Sequence, residues 1–277
     1  RLIRRQRQMC IRDSYLIGGN PYYYIPLAGL FSGVLGILIY LAINRRLLNA
    51  GAGMIALMMS TLGIDLVLFA FINIYADYLT EIHKLPARFF VLELKDPIVG
   101  IIAGVPIKAI NIIAPISMVI ITVALHIILT KTKLGIAMRA TIENPYLASL
   151  LGINPELIYL LAWFIGGALA GISGGLLSLI ISGYPAVGMM TIVTFFSGAI
   201  VGGLYSIFGS LLGGILMGLS EYLGIYALSM FLGGGILAYR PLIPLIIMAL
   251  VLLIYPKGLG GITLSKLRIL PMLSSKR

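Results

Sequence analysis

Residues 157–181 read LIYLLAWFIGGALAGISGGLLSLII, and none of them is Asp, Glu, Lys, Arg or His. A membrane-spanning α-helix needs about 20 mostly apolar residues, because each residue advances the helix by about 1.5 Å through about 30 Å of hydrocarbon. This stretch is long enough and apolar enough to meet that requirement. It therefore predicts a helix that crosses a lipid bilayer.

The rest of the chain has the same character. Hydrophobic residues make up 60% of the 277 and charged residues only 10%, whereas soluble domains carry roughly 25% charge. A soluble fold of this length lacks the interior to hide so much apolar surface. We predict an all-α polytopic transmembrane bundle of about seven spans, the other six being residues 25–43, 54–73, 110–129, 189–205, 207–228 and 241–255. The apolar stretch 98–105 is too short to span, and we expect it to be re-entrant or interfacial.

Basic residues lie between the apolar segments, and they indicate an orientation. The chain has 20 Lys and Arg against 9 Asp and Glu, a net charge of +11. Cytoplasmic loops of membrane proteins collect Lys and Arg. If seven spans alternate, three basic sets fall on one side, which we assign to the cytoplasm: Arg45 and Arg46, then Lys131, Lys133 and Arg139, then Lys257, Lys266, Arg268, Lys276 and Arg277. The charge thus indicates a membrane protein with a cytoplasmic C-terminus, not a nucleic-acid-binding protein.

The first 14 residues do not fit this orientation. Alternation places their five arginines outside, and no apolar segment follows them as in a signal peptide. We expect residues 1–14 to be non-native and the native sequence to begin near Tyr15. Cys10 is the single cysteine, which excludes a disulfide framework and a cysteine-based metal cluster.

Small residues recur at four-residue spacing in three predicted spans. Residues four apart share one helix face, and missing side chains allow another helix to approach closely. We interpret this spacing as helix packing, with direct substrate contact as the alternative. The residues are Gly166, Gly167, Ala170, Gly171, Gly174 and Gly175 in one span, and Gly202 and Gly213 in the next two.

Two acids, Asp65 and Glu221, lie inside apolar spans. A charge at bilayer depth costs at least about 2.5–3.5 kcal/mol, so each acid is expected to face the bundle or a cavity. Two roles fit these acids equally: a pathway or gating residue, or a structural hydrogen bond to a neighbouring helix. His126, near the end of a span, is expected at the interface.

Residues 130–156, TKTKLGIAMRATIENPYLASLLGINPE, are too polar to cross a membrane and too patterned for a plain linker. Apolar positions recur at Met138, Ile142, Leu147 and Leu151, and Pro145 interrupts them. This pattern predicts short helices lying on the cytoplasmic face. Such helices dock into a groove of a partner or rest on lipid.

These motifs resemble the H-type permease subunits of ATP-binding-cassette importers for branched-chain amino acids. The resemblance is carried by LGIAMRATIENPYLASLLGIN (134–154), GGALAGISGGLL (166–177), AIVGGLYSIFGSLLGGILMGLSE (199–221) and YPKGLGG (255–261), with weaker matches at 15–19 and 55–64. It implies a permease domain at 15–262, a cytoplasmic coupling loop at 130–156 and a basic cytoplasmic tail at 263–277. The segment that the family places upstream has no counterpart here, in agreement with a native N-terminus that is missing.

The resemblance also implies partners. A second permease subunit forms the pore, cytoplasmic ATPases bind the coupling loop and hold the ATP, and an extracytoplasmic binding protein delivers the amino acid. This chain itself would bind no cofactor or metal. Within the loop, the family pattern falls on Arg139, Glu143, Ala148 and Gly152. The spacing departs from the Glu-Ala-Ala…Gly loop of other importers, so only the docking role is carried over. Asp65 stands where the family pattern is usually uncharged.

Other functions are weighed against this one. No phosphate loop of the Walker type, GxSxG elbow or HExxH pair occurs in the sequence, which leaves a membrane enzyme with little support. An ATP-independent channel or facilitator for small solutes is the alternative, with Asp65 and Glu221 lining its path. The sequence does not distinguish branched-chain amino acids from other amino acids, amides or urea as substrate.

Overall fold

The computed structural model describes residues 20–82, 84, 88–89, 92, 96–102, 105–203, 206–232 and 239–255. The expected non-native segment 1–14 and the basic tail 263–277 lie outside the described residues. The described residues form two compact units, one within Arg1–Met118 and Thr132–Pro185, the other within Val119–Lys131 and Ala186–Arg277.

The first unit contains most of the helices. Helix α1 (Tyr24–Ile39) continues through a π-helical turn (Tyr40–Asn44) into α2 (Arg45–Asn49). The elements that follow are α3 (Met54–Ile82), strands β1 (Ile98–Ile102) and β2 (Val105–Lys108), the first part of α4 (Ile110–Lys131), and then α5 (Lys133–Glu143), α6 (Pro145–Leu150) and α7 (Pro155–Leu177). Within this unit, α1 packs along α7.

The second unit is built on three helices and the remainder of α4. They are α8 (Val187–Gly202), α9 (Ile207–Leu232) and α10 (Leu242–Ile254). Helix α8 packs against both α9 and α10. Val201 of α8 and Met217 of α9 are among the largest fully buried side chains of this unit.

The predicted all-α polytopic bundle is confirmed. Each of the seven predicted spans contains a helix, and five helical stretches are long and apolar enough to cross a membrane: Pro21–Asn49, Ile55–Ile82, Ile110–Lys131, Pro155–Leu177 and Ile207–Met230. Helices α8 and α10 are apolar but shorter, at 16 and 13 residues. At about 1.5 Å per residue they extend about 24 and 20 Å, less than the thickness of the hydrocarbon.

Local sequence sets the helix boundaries around residues 132–157. The side-chain oxygens of Asn144 and Asn154 accept backbone N–H bonds at the starts of α6 and α7, and a proline follows each at the first helical position. These are preferred start signals, because the capping oxygen satisfies an N–H that has no partner inside the helix and proline has no N–H to satisfy. The break that Pro145 predicts is therefore where α5 ends and α6 begins.

The short apolar stretch that begins at Ile98 forms a strand. It pairs antiparallel with β2 in a hairpin whose register is irregular between Ile98 and Gly100. β-branched residues such as Ile and Val favour strands, which explains this local structure. The strand Ile98–Ile102 is too short to span a bilayer, as its length predicted.

Asp96 holds the hairpin, the start of α1 and the start of α4 together. One carboxylate oxygen accepts the Tyr22 hydroxyl at 2.6 Å, and the other accepts the backbone N–H of Ile110 at 3.2 Å. Asp96 is 6% exposed. A carboxylate at a helix N-terminus also interacts favourably with the helix dipole. Three segments distant in sequence thus depend on one side chain.

Replacing Asp96 by Asn is expected to lower the free energy of unfolding by about 1–3 kcal/mol, because an amide cannot accept both bonds and lacks the charge that strengthens them. Thermal denaturation of the purified protein in detergent measures the effect. Asp77→Asn is the matched control: Asp77 pairs with Arg88 on the surface, and exposed pairs contribute at most about 1 kcal/mol. Equal losses in the two variants would contradict the assignment.

Candidate functional site

Glycines bring the backbones of α1 and α7 into direct contact. A Cβ added to Gly36 would lie 2.6 Å from the carbonyl oxygen of Trp163. A Cβ on Gly167 would lie 2.6 Å from that of Ser32, and one on Gly171 would lie 2.6 Å from that of Ala28. Real Cβ atoms do not approach backbone so closely, so only glycine permits this contact.

The other small residues of α7 lie off this contact. An added Cβ on Gly166 or Gly174 would meet no atom of the described residues within 4 Å, and one on Gly175 would make ordinary contact with Ile25 at 3.4 Å. Gly166 and Ala170 instead line an open cavity of about 470 Å³ beside α1 and α7. Among its lining residues, only Ser32 and Trp163 carry polar side-chain groups. The cavity therefore suits hydrocarbon, not a charged head group.

A second backbone contact joins α8 and α9. An added Cβ on Gly202 would collide with the carbonyl oxygen of Gly209, and one on Gly213 would collide with that of Gly198. Helix α8 ends at Gly202, and Gly203 follows with φ +97°, a conformation that side chains with a Cβ rarely adopt. Glycine is thus required both for the contact and for the end of α8.

We expect Gly167→Ala to lower the free energy of unfolding by about 1–3 kcal/mol, since its Cβ would force α1 and α7 apart. Gly174→Ala on the same helix is the matched control. Its Cβ meets open space, and alanine favours a helix by up to about 1 kcal/mol over glycine. Unfolding monitored by circular dichroism compares the two variants. A Gly167→Ala protein as stable as Gly174→Ala would contradict the packing contact.

Glu221 lies buried on α9, with an exposure of 8%. One carboxylate oxygen accepts the Thr194 hydroxyl of α8 at 3.0 Å. The other accepts the Nε–H of Arg240 at 2.5 Å. The guanidinium of Arg240 also lies 4.3 Å from the ring centroid of Tyr222. The acid predicted inside a span is thus paired with a base and hydrogen-bonded to a neighbouring helix.

Arg240 was missed by the sequence analysis, although the sequence carries a signal for it. It is the sole Lys or Arg between Arg139 and Lys257, and Glu221 is the last acid of the chain. Two lone opposite charges in an apolar region are expected to find each other, because an unpaired charge in hydrocarbon is costly. The partner Thr194 carries no comparable signal.

Asp65 has a different environment. It lies on an exposed face of α3, and the most apolar part of Ile55–Ile82 is not buried among the described residues. Within the first unit, α3 contacts the π-helical turn and α2, and the Ser60 hydroxyl donates to the side-chain oxygen of Asn44. Asp65 belongs to the first unit and Glu221 to the second.

The predicted coupling segment forms two short helices. Arg139 lies on α5, Glu143 is its last residue, and both are exposed. Ala148 of α6 is 2% exposed, and Gly152 follows α6 with φ +82°. The buried Ala148 faces the chain's interior and the glycine turn leads from α6 towards α7, while the outer side chains of α6 are exposed.

That outer surface is apolar. Ile142, Tyr146, Leu150 and Leu151 are 78%, 74%, 67% and 74% exposed. Large apolar side chains grouped on an otherwise polar segment mark a surface that contacts protein or membrane. The segment is tied to α2 by an ion pair between Arg45 and Glu156 at 2.8 Å.

The π-helical turn holds a further polar residue that the sequence analysis missed. Asn44 is 3% exposed, and its amide nitrogen has no hydrogen-bond partner among the described residues. Nearby, the buried Tyr40 ring lies 6.3 Å from the ring of Tyr159 and 6.4 Å from that of Trp163. π-helical turns are often found at functional sites.

Comparison with known proteins identifies the family. The family model described as "Branched-chain amino acid transport system / permease component" matches residues 5–254. The chain belongs to this family. The probable branched-chain amino acid transport permease protein LivH of Methanocaldococcus jannaschii is 38% identical over 254 residues, which cover 91% of this chain and 78% of that protein.

Two other relatives match part of the permease. The high-affinity branched-chain amino acid transport system permease protein LivH of Escherichia coli K12 is 34% identical over 139 residues, 50% of this chain and 43% of that protein. The protein BraD of Pseudomonas aeruginosa, with the same description, is 31% identical over 161 residues, 57% of this chain and 50% of that protein. No solved structure matches the permease significantly. The H-type permease resemblance stated from the motifs is confirmed, and the chain is a multi-pass membrane protein of a transport family.

Proposed function

We propose that this chain is a permease subunit of an ATP-driven importer for branched-chain amino acids in the cell membrane. The observation that carries the proposal is the family match across residues 5–254, together with relatives whose names specify branched-chain amino acid transport. The chain would form the translocation path with a second permease subunit. An extracytoplasmic binding protein would deliver the amino acid.

The helices α5 and α6 support the coupling part of the proposal. Cytoplasmic ATPases need a surface through which their closure moves the membrane helices, and an apolar helix face in a groove is a common way for proteins to dock. Tyr146 and Leu150 supply such a face, with Arg139 and Glu143 beside it. The Arg45–Glu156 pair and the short turn at Gly152 connect this surface to α2 and α7. The ATP itself would be held by the ATPases.

Movement of this surface would rock the membrane helices between outward and inward access. Packed helices that slide or rotate against each other are a known form of such transitions. The chain would contribute no covalent chemistry.

The second permease subunit is supported by Asp65. This acid is exposed on α3, and an acid facing lipid at bilayer depth costs at least about 2.5–3.5 kcal/mol. A protein surface that covers α3 in the assembled importer would remove that cost.

The alternative, an ATP-independent channel, loses one of its arguments. Glu221 was a candidate to line an ion path, but Arg240 neutralises it and Thr194 binds it. A paired carboxylate attracts a passing cation far less than a free one. Asp65 alone remains in support of the channel.

Co-purification from native membranes tests the proposed function. We expect the chain to purify with a cytoplasmic ATPase whose ATP hydrolysis rises when leucine-loaded binding protein is added. A chain that purifies alone and passes solute without ATP would contradict the importer and establish the channel.

Substitution of the outer face of α6 tests the coupling surface. We expect Tyr146→Ala with Leu150→Ala to reduce association with the ATPase at least about tenfold, since loss of two buried apolar side chains removes more than about 1.4 kcal/mol. Arg139→Ala with Glu143→Ala is expected to uncouple ATP hydrolysis from uptake.

Leu253→Ala is the matched control, because Leu253 is 82% exposed but lies on α10. It is expected to leave association with the ATPase unchanged. Normal uptake and normal association in the α6 double variant would show that the ATPase docks elsewhere.

A further inference from the structure

Three ion pairs occur among the described residues, and one of them differs from the other two. The side chains of Arg45 and Glu156 are 46% and 42% exposed, and those of Arg88 and Asp77 are 63% and 44% exposed. The side chains of Arg240 and Glu221 are 35% and 11% exposed. This last pair joins a buried carboxylate of α9 to the turn just before α10, and it is the least exposed of the three.

Each member of the pair has a second partner of its own. Thr194 donates to the Glu221 carboxylate, and the Arg240 guanidinium lies over the Tyr222 ring. The pair itself is joined through Nε of Arg240 and a single carboxylate oxygen. Glu221 therefore has Thr194 of α8 as a partner, and Arg240 has the Tyr222 ring of α9. Neither of these contacts depends on the ion pair itself.

A fixed carboxylate and a fixed guanidinium side by side match the charges of a free amino acid. An amino acid carries an ammonium and a carboxylate on one carbon, and neither group is tolerated in a low-dielectric path without an opposite charge. A guanidinium binds a carboxylate with two parallel hydrogen bonds, and a glutamate binds an ammonium with a short, charge-assisted one.

We propose that Glu221 and Arg240 form the binding site for the zwitterionic head group of the transported amino acid. The substrate ammonium replaces Arg240 on Glu221, and the substrate carboxylate replaces Glu221 on Arg240. Every charge keeps an opposite partner throughout the exchange, so the pair opens without leaving a bare charge in the membrane. The proposal rests on the proposed function and names its substrate-binding residues.

The exchange also accounts for selection by head group. A molecule with only one of the two charges would separate the pair and leave either Glu221 or Arg240 without a partner. An unpaired charge at this depth is penalised, so such a molecule binds more weakly than the zwitterion. The structure of the aliphatic side chain plays no part in this selection.

The test is competition binding to the assembled importer in nanodiscs, with radiolabelled leucine and no binding protein. The competitors are leucine, 4-methylpentanoate, which lacks the ammonium, and 3-methylbutylamine, which lacks the carboxylate. For the wild type we expect leucine to compete at least about tenfold better than either analogue, as expected from the loss of one charged contact.

The two variants are expected to change the relative affinities of the acid and the amine analogue in opposite ways. Glu221→Gln is expected to bring leucine and 4-methylpentanoate to within about twofold of each other while the amine stays weaker, because the ammonium has lost its partner. Arg240→Gln is expected to bring leucine and 3-methylbutylamine together while the acid stays weaker. A purely structural ion pair would weaken all three competitors by the same factor, and that result would overturn the proposal.

Arg240→Lys covers the case in which the neutral variants do not fold. Lysine keeps the charge and the pairing but lacks the planar fork, so binding of leucine and 4-methylpentanoate is expected to fall while 3-methylbutylamine is unchanged. Asp77→Asn, which breaks an exposed pair in the other unit, is the control and is expected to leave all three affinities as in the wild type.

The outcomes separate the two proposals. Wild-type affinity ratios in the Glu221 and Arg240 variants, in an importer that transports leucine, would overturn the head-group site and leave the proposed function standing. A wild-type importer that neither binds nor transports leucine would overturn the proposed function, and the head-group site with it.

Discussion

Helices in a bilayer gain no hydrophobic driving force by burying apolar side chains against each other, because the lipid is equally apolar, so tight van der Waals packing matters more. What remains is close contact between backbones, and the permease achieves it with glycine. Gly36, Gly167 and Gly171 permit one contact in the first unit, and Gly202 and Gly213 permit another in the second. In both places the opposing surface is a carbonyl oxygen, which cannot give way. Many large apolar side chains, such as Leu253 and Phe31, are exposed on the surface of the described residues.

The apolar lipid also restricts where charged side chains can lie in the chain. Glu221 is deeply buried and has both a base and a hydroxyl as partners, whereas Asp96 binds a helix N-terminus and a tyrosine hydroxyl. Satisfied in this way, each acid joins segments far apart in sequence. Asp65 has neither kind of partner among the described residues of its unit, and the proposed second permease subunit would cover it. These acids therefore mark internal joints at Asp96 and Glu221, the second of which is also the proposed head-group site, and a proposed place of assembly at Asp65.

Much of the fold follows from the sequence because hydropathy and length are direct physical requirements of the bilayer. The seven helical segments and the break at Pro145 required only those rules and capping chemistry. The strand Ile98–Ile102 did not follow, since it depends on pairing with β2, which is a tertiary contact. At the site, the spacing of small residues in α7 indicated packing, but it did not separate Gly167 from Gly174, because which helix face meets α1 is a tertiary property. Arg240 was missed because its partner Glu221 lies 19 residues away, beyond the reach of local sequence patterns.

ATP-driven import through this chain requires α5 and α6 to lie on the cytoplasmic side of the membrane, because ATPases reach these helices only from the cytoplasm. Single cysteines at Ser149 on α6 and at Phe89 in the loop before β1, in a protein whose Cys10 is replaced by Ser, measure this directly with a membrane-impermeant maleimide. In intact cells we predict labelling at position 89 and none at position 149, with position 149 labelled once the membrane is permeabilised. Labelling of position 149 in intact cells would contradict a cytoplasmic position of α5 and α6 and, with it, coupling to an ATPase through these helices.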